Sequence, residues 1–591
     1  LAALAGAAAG ATPGPHGVSV TLAPGQGLPG ALGVSFAHNA SGDAEPVGAG
    51  VYWWPEGRPG ERQFAGARVT RYQHEALYGI YLSEWLFHSV LESEPGQVVA
   101  FTPCADAAEC ARVAAPIPLP DGSASDAIFT VRSPPLASAL GGEVGPLRIG
   151  MLGDLGQTEH SNDTMRGLMS QADLASVVLV GDLSYADEFN PRWDSWSRVM
   201  EEHVTSVPFL FVPGNHEIEM DSRTGRSFVP YAHRFQMDPL CHTRPEGCMG
   251  GYSDPDGWRA NLWYSVDIGP AHFLHINNYW DVEMTDRRKG PRVGRLEARE
   301  AGAGATEEEA AGRSHDRRTE EQWVLQTVIA DLRAVNRTAT PWVVLCMHAP
   351  FYNSNDFHQN EKESVVSRAL LEPIVQEYDV NIVFAGHVHS YERMHSVYKN
   401  QTGEGPVYIN IGDAGNREGI YDQWLPGEDG AERPPWSAFR KGSYGYGVIE
   451  FRNASHALWE WHSNPEPGEQ EGRGRHLRDT IWIENRVQDD PVCLTGGGEA
   501  LWRTMRAWMA DADAADALSG NLRQGKPQPP AEPASPEKRQ PPSRGVIAAL
   551  VLLTALVASL SVAMAFMLRR NKSRGQWEKL TLDVEVENAF Q

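Results

Sequence analysis

The sequence predicts an α/β domain, preceded by an all-β sandwich and followed by one membrane-spanning helix. Between 17 and 137, short runs such as "GVSVTLA", "LGVSFAH", "VYWWPEG", "QVVAFTP" and "DAIFTVRS" alternate apolar with polar residues and are separated by turn residues, the pattern of half-buried strands. From 146 to 487 the pattern changes to apolar strands separated by helical stretches, as in alternating strand–helix architectures. Near the end, 545–568 carries no charge over 24 residues, about 36 Å as a helix against a hydrocarbon core of roughly 30 Å.

Each element follows in order. The opening "LAALAGAAAGA" is small and apolar, with Ala9 and Ala11 in an A-x-A-like arrangement, so 1–16 reads as a signal-peptide remnant or a disordered lead. Trp53 and Trp54 are expected in the sandwich core or in interdomain packing rather than as a ligand platform. Cys104 with Cys110 and Cys241 with Cys248 are close enough in sequence to be disulfide candidates, whereas Cys346 and Cys493 read as free thiols. In the α/β domain, "EEQWVLQTVIADLRAV" has apolar residues at helical spacing and should face the core. His272 and His275 in "HFLHIN" read as structural histidines. Segment 286–318 is rich in Arg, Glu, Ala and Gly without an apolar period, a disordered insertion. A Pro-rich stretch over 511–544 makes a semi-extended stalk. "RRNKSR" follows the apolar run at once, so the positive-inside rule places 569–591 in the cytosol. The reading is a single-pass type I membrane protein of the secretory pathway, its main domains extracellular or luminal. Sequons at Asn39, Asn162, Asn336, Asn400 and Asn453 could carry glycans there, whereas Asn571 would face the cytosol.

The chain has 591 residues, 41% of them hydrophobic, enough for at least one large core. Its 51 basic and 76 acidic residues give a net charge of −25, which opposes general nucleic-acid binding. Any polyanionic substrate must therefore be attracted by something local.

Five apolar strands each run into polar residues. "LRIGML" meets Asp154, "ASVVLV" meets "GDLSYAD" with Asp182 and Tyr185, and "VPFLFVP" meets Asn215, His216 and Glu217. "PWVVLCM" meets His348, and "VNIVFA" meets His387 and His389. Ligands of α/β sheets sit at the carboxyl ends of strands, so five such ends can converge. Asp, Asn and His together suit Fe, Mn or Zn better than Ca or Mg. There are more donors than one ion needs, and two ions about 3.5 Å apart form a clamp for displacement at phosphorus. A phosphate ester hydrolase follows.

The ordered set "GDLG", "GDLSYAD", "GNHE", "VVLCMH" and "GHVH", with "RWDSW", "SYER" and "NIGDAGN", resembles the plant-type purple acid phosphatases of the calcineurin-like metallophosphoesterases, over roughly 17–487. The resemblance implies an αββα sandwich preceded by a fibronectin-III-like sandwich. It implies that Asp154, Tyr185 and His389 bind a ferric ion, and that Asp182 bridges to a divalent ion (Fe, Zn or Mn) completed by Asn215, His348 and His387. Asn215 and His216 would contact the phosphate, and His216 would protonate the leaving alkoxide, a role suited to an imidazole under acidic conditions. The implied reaction is hydrolysis of small phosphate monoesters by attack of a metal-bound hydroxide, an acid phosphatase activity. Close plant relatives carry two histidines nine and ten residues after the position of His348, and here those places hold Phe357 and His358. His358 stays a candidate phosphate contact, but the lost histidine keeps a phosphodiesterase or nucleotide pyrophosphatase open as an alternative. A non-enzymatic surface protein would need broken donor sets, and all seven positions are filled. The oligomeric state is left open, a homodimer among the options.

The general metallophosphoesterase pattern has Asp-x-His in its first block, where this chain has Asp154-Leu155-Gly156. Tyr185 would fill the vacancy as an anion. A ferric and a divalent ion bring five positive charges against three from Asp154, Asp182 and phenolate Tyr185. The surplus is the local attraction for phosphate that the acidic chain otherwise lacks.

Overall fold

The computed structural model describes residues 15–22, 30–39, 44–114, 128–135, 146–235, 261–279, 324–427, 432–465 and 476–486. The signal-peptide remnant, the insertion, the stalk, the 545–568 span and the 569–591 tail lie outside them, as do Cys241, Cys248 and Cys493. No helix among the described residues is long and apolar enough to cross a membrane.

The alternating runs near the start form two four-stranded sheets. One has the order His16–Leu22, Leu32–His38, Trp85–Leu91, Arg68–Thr70, and the other Phe129–Arg132, Val98–Cys104, Gly50–Pro55, Gln63–Gly66. Neighbouring strands are antiparallel throughout. Val20, Val34, Phe36, Phe87, Val51, Val99 and Phe101 are buried in their core, and Trp53 and Trp54 are 4% and 5% exposed. Cys104 and Cys110 form a disulfide joining a strand to the short helix Ala107–Ala114. Cys346 is a buried free thiol.

The rest is built on two larger sheets. In the six-stranded one, Phe209–Val212, Leu174–Val180 and Leu147–Leu152 run parallel. Gly445–Phe451, His456–Ser463 and His476–Glu484 then add antiparallel to its other side, a meander that the strand–helix reading of 146–487 did not foresee. In the seven-stranded sheet, Ala271–Ile276, Trp342–Cys346, Ile382–Ala385 and Gln401–Ile411 form a parallel centre. The two sheets meet through aromatic rings: Tyr391 stacks on Trp461 at 4.4 Å and Phe384 lies 5.2 Å from Trp459. Crossover helices link most of the parallel strands, whereas Ile382–Ala385 reaches Gln401–Ile411 through the antiparallel strand Tyr391–Tyr398. Glu159–Met169 starts in a reciprocal cap, with Thr158 Oγ1 accepting from the Ser161 amide and Ser161 Oγ accepting from the Thr158 amide. Pro191 opens Pro191–Val204, where its missing N–H costs nothing. The helix over 324–334 buries Val324, Leu325, Val328, Ile329 and Leu332, the face its spacing predicts.

One element of the first region leaves its sandwich. The hairpin Gln73–Ala76 with Gly79–Leu82 lies on the loop that follows Leu174–Val180. His74, fully buried, donates Nε2–H to the Glu219 carbonyl at 2.9 Å and accepts at Nδ1 from Asn190 Nδ2 at 2.9 Å. Tyr72 donates to Asn190 Oδ1 at 3.0 Å, and the Leu77 amide to Glu188 at 3.3 Å.

Candidate metal centre

The strand ends converge as expected. Asp182, His348 and His387 each offer a donor atom within 4.8 Å of the others, and so do Asp154, Asp182 and His389. Asp182 belongs to both groups, the position a bridging carboxylate must occupy. Tyr185, 1% exposed, places its hydroxyl 3.3 Å from Asp154 Oδ1 and 3.1 Å from His389 Nε2. Asn215 Oδ1 lies 2.9 Å from His387 Nδ1. The two groups hold five of the seven predicted ligands, and Tyr185 and Asn215 lie against them.

The local backbone explains how the carboxylates reach in. Asp154, Asp182, Tyr185 and His387 have φ of 58°, 54°, 52° and 69°, a left-handed conformation that costs a non-glycine residue of order 1–3 kcal/mol and clusters at functional sites. Room is made by the absence of side chains: a Cβ at Gly214 would strike the Asp182 carboxylate, and one at Gly181 would strike the His348 ring. Buried Glu217 accepts the amides of Asp182 and Leu183 at 2.9 Å and of Gly214 at 2.8 Å, tying the second and third strand ends together. Burial and then the Asp182 charge push Glu217 up to about 8, against the pull of these donors.

Charge and protons are arranged for cations. His348 donates Nδ1–H to the Val180 carbonyl at 2.7 Å, which leaves Nε2 as the lone-pair nitrogen. That atom is buried without a hydrogen-bond partner, 3.1 Å from Asp182 Oδ2 and 3.9 Å from Asp154 Oδ1. The Asp182 contact is at ion-pair distance but lacks hydrogen-bond geometry. Burial opposes a charge on His348, yet Asp182 and Asp154 raise it to about 9. Burial, then the Asp154 and Asp182 charges, holds Tyr185 well above the usual phenol range, so its ionisation requires a strong cation in contact. These donors fit an Fe(III)–divalent pair: Asp154, Tyr185 and His389 on the iron side, Asn215, His348 and His387 on the other, Asp182 between.

His216 lies at the rim. Its amide donates to Asp182 Oδ1 at 2.9 Å, its Nδ1 bonds Asp187, and its ring centre is 4.1 Å from that of Tyr185. His358 stacks edge-on against His387 at 4.7 Å and bonds Glu361 through Nδ1 at 3.2 Å. Burial draws His358 below the ordinary imidazole value. His272 and His275 stay apart: His272 sits between Asp267 and Asp331 at 2.6 and 2.8 Å, and His275 stacks on Tyr264 at 4.3 Å.

Several residues at the centre were not read from the sequence. Glu361 holds His387 Nε2 at 2.6 Å, the carboxylate partner that fixes a metal-binding imidazole. Arg417 bonds the Tyr185 carbonyl at 2.5 Å and pairs with Asp187. Asn416 donates amide and side chain to the Asp154 carbonyl at 3.1 and 3.2 Å. Only "NIGDAGN", which contains Asn416, carried a signal.

Comparison with known proteins agrees with this geometry. Residues 147–391 match the family described as calcineurin-like phosphoesterase, which defines the class. Residues 405–471 match the one described as iron/zinc purple acid phosphatase-like protein C. The chain is 32% identical over 370 residues to "Probable purple acid phosphatase 20" of Arabidopsis thaliana, covering 62% of this chain and 70% of that protein. It is 32% identical to "Fe(3+)-Zn(2+) purple acid phosphatase 12" of the same plant and 33% to "Phosphoenolpyruvate phosphatase" of Allium cepa, spanning 63% and 62% of their lengths. The solved yellow lupin purple acid phosphatase PPD1 superposes with a TM-score of 0.57 at 18% identity, over 80% of this chain and 74% of that one, a likeness of fold. The chain belongs to the purple acid phosphatase family. It is accordingly an acid phosphatase with a dimetal cofactor.

Proposed function

We propose that the chain hydrolyses small phosphate monoesters with an iron–divalent pair, as a membrane-tethered protein whose catalytic domain faces the lumen or the cell exterior. The observation that carries the reaction is the pair of donor groups sharing Asp182. When bound, the metal pair supplies Lewis acidity and an activated water for attack on phosphorus. The chain's own residues do the rest. Asn215 and His358 border the place where phosphate oxygens would lie. His216 is held through Nδ1 by Asp187, so its Nε2, 3.7 Å from Asp182 Oδ2, is turned inward to keep a proton for the departing alkoxide. Arg417 neutralises Asp187 from the far side.

Metal analysis, the visible spectrum and hydrolysis of p-nitrophenyl phosphate under acidic conditions test this. Two bound metals without hydrolysis of any phosphate ester would sink it. A large preference for bis(p-nitrophenyl) phosphate would favour the diesterase alternative, which Phe357 keeps in view. Support for the tether is the charge-free 545–568 run and its trailing "RRNKSR". Release of the full chain from membranes by alkaline carbonate would refute it. Exposed Asn39, Asn336, Asn400 and Asn453 suit glycosylation, checked by a mobility shift with an endoglycosidase.

A further inference from the structure

Phe357 is 66% exposed, on the loop that carries His358 to the rim of the metal centre. Its position is not slack. The Phe357 amide bonds Asn355 Oδ1 at 3.1 Å, and Asn355, fully buried, donates Nδ2 to the Tyr421 carbonyl at 3.1 Å. The Asp356 amide reaches the Gln423 carbonyl at 3.1 Å and the Leu425 amide the Ser354 carbonyl at 2.8 Å. Two loops are thus laced together with the phenyl ring held outward, its centre 5.4 Å from the Tyr421 ring.

The same ring pair is continuous with the centre. Phe357 meets His358 edge-on at 4.9 Å, and His358 meets the ligand histidine His387 at 4.7 Å. The Tyr421 amide bonds the carbonyl of His389, another ligand, at 3.0 Å. Polar groups that grip one end of a ligand, flanked by aromatic surface for the other, are the usual build of a small-molecule site. An aromatic shelf beside a phosphate-binding centre suits the organic part of an ester, because ring-on-ring contact adds about 0.5–1.5 kcal/mol beyond area burial.

We infer that Phe357 and Tyr421 form a shelf that receives the organic group of the substrate and selects aromatic phosphate esters over small polar ones. This rests on the phosphatase reading for the phosphate's place, yet binding tests it without turnover. Calorimetry on the metal-loaded full chain would compare phenylphosphonate with methylphosphonate, beside hydrolysis of phenyl phosphate. The wild type should favour phenylphosphonate about tenfold, Phe357→Ser should remove most of that ratio, and Phe357→Trp should keep it. Equal affinity of the wild type for the two phosphonates, or an unaltered ratio in Phe357→Ser, would overturn the shelf. A phenyl preference that depends on Phe357 in a protein hydrolysing no ester would leave the shelf standing and remove the phosphatase reading instead.

Discussion

The two sheets give unlike halves to one metal centre. The six-stranded sheet supplies Asp154, Asp182, Tyr185 and Asn215, and the seven-stranded sheet supplies His348, His387 and His389. On the first side Asp154, Asp182 and Tyr185 are acidic groups on left-handed backbone positions, Asn215 is a neutral amide, and Glu217 locks their loops by three amides. On the second side the donors are imidazoles: His348 is set by the Val180 carbonyl, and His387, itself at a positive φ, by Glu361, Asn215 and, through its amide, Asp154. The difference teaches where the cost of the site lies. A buried Tyr185 phenolate is expensive without a cation, whereas at Asp182 burial is outweighed by the His348 and His216 charges, which hold the carboxyl below its usual range, so the phenol is the member of this half that most needs a metal. Burial opposes a charge on His348 and His387, but Asp182 beside the first and Glu361 beside the second outweigh it and raise both.

Breaking the shared member should do most. Asp182→Ala should remove both metals and lower turnover at least about a thousandfold. Metal analysis checks it, and normal turnover would refute the bridge. Next, Tyr185→Phe deletes one anion from the iron side. The wild type loaded with ferric iron should show a visible tyrosinate band that the variant lacks, and a colourless wild type under oxidising conditions would remove Tyr185 from the ligand set. A matched pair then sharpens the contrast. Glu217→Gln should weaken both metal positions and lower the melting temperature, whereas Glu361→Gln should weaken mainly the divalent position, about tenfold. Equal effects on melting would erase the asymmetry. The smallest effect belongs to a histidine of the second sheet that needs no metal. His272 is raised from 6.5 to about 9: burial opposes its charge, but Asp267 and Asp331 outweigh burial. A raised folded value means its stabilisation is full below 6.5 and is lost as pH rises through 9. His272→Gln should flatten the decline of melting temperature between these limits.

The strand-end candidates Asp154, Asp182, Asn215, His348, His387 and His389 could be picked out because each lies within a few residues of an apolar strand's end, where chain direction and the end of hydrophobicity mark the place. Tyr185 needed more: only the missing histidine of the first block and the family resemblance gave it a role. The supporting groups were hidden for a different reason. Arg417 meets Asp187 across 230 residues and Glu361 meets His387 across 26, and surface-type residues in loops show no pattern until the strands are placed. The sandwich was readable from alternation, and the Cys104–Cys110 pair from its short spacing. The 445–484 meander was not, since its strands follow the parallel ones without a change of composition.

The hairpin that carries His74 has a further consequence for how the protein comes into being. Its partners Asn190, Glu188 and Glu219 flank the stretch with Tyr185 and Asp187. Domains generally fold in the order they leave the ribosome, and a first region that folded ahead of that stretch would offer it these three partners already in place. The first region then serves the nascent catalytic loop as a mould, and a chain started after it would have to shape the iron-side loop with no template to settle on.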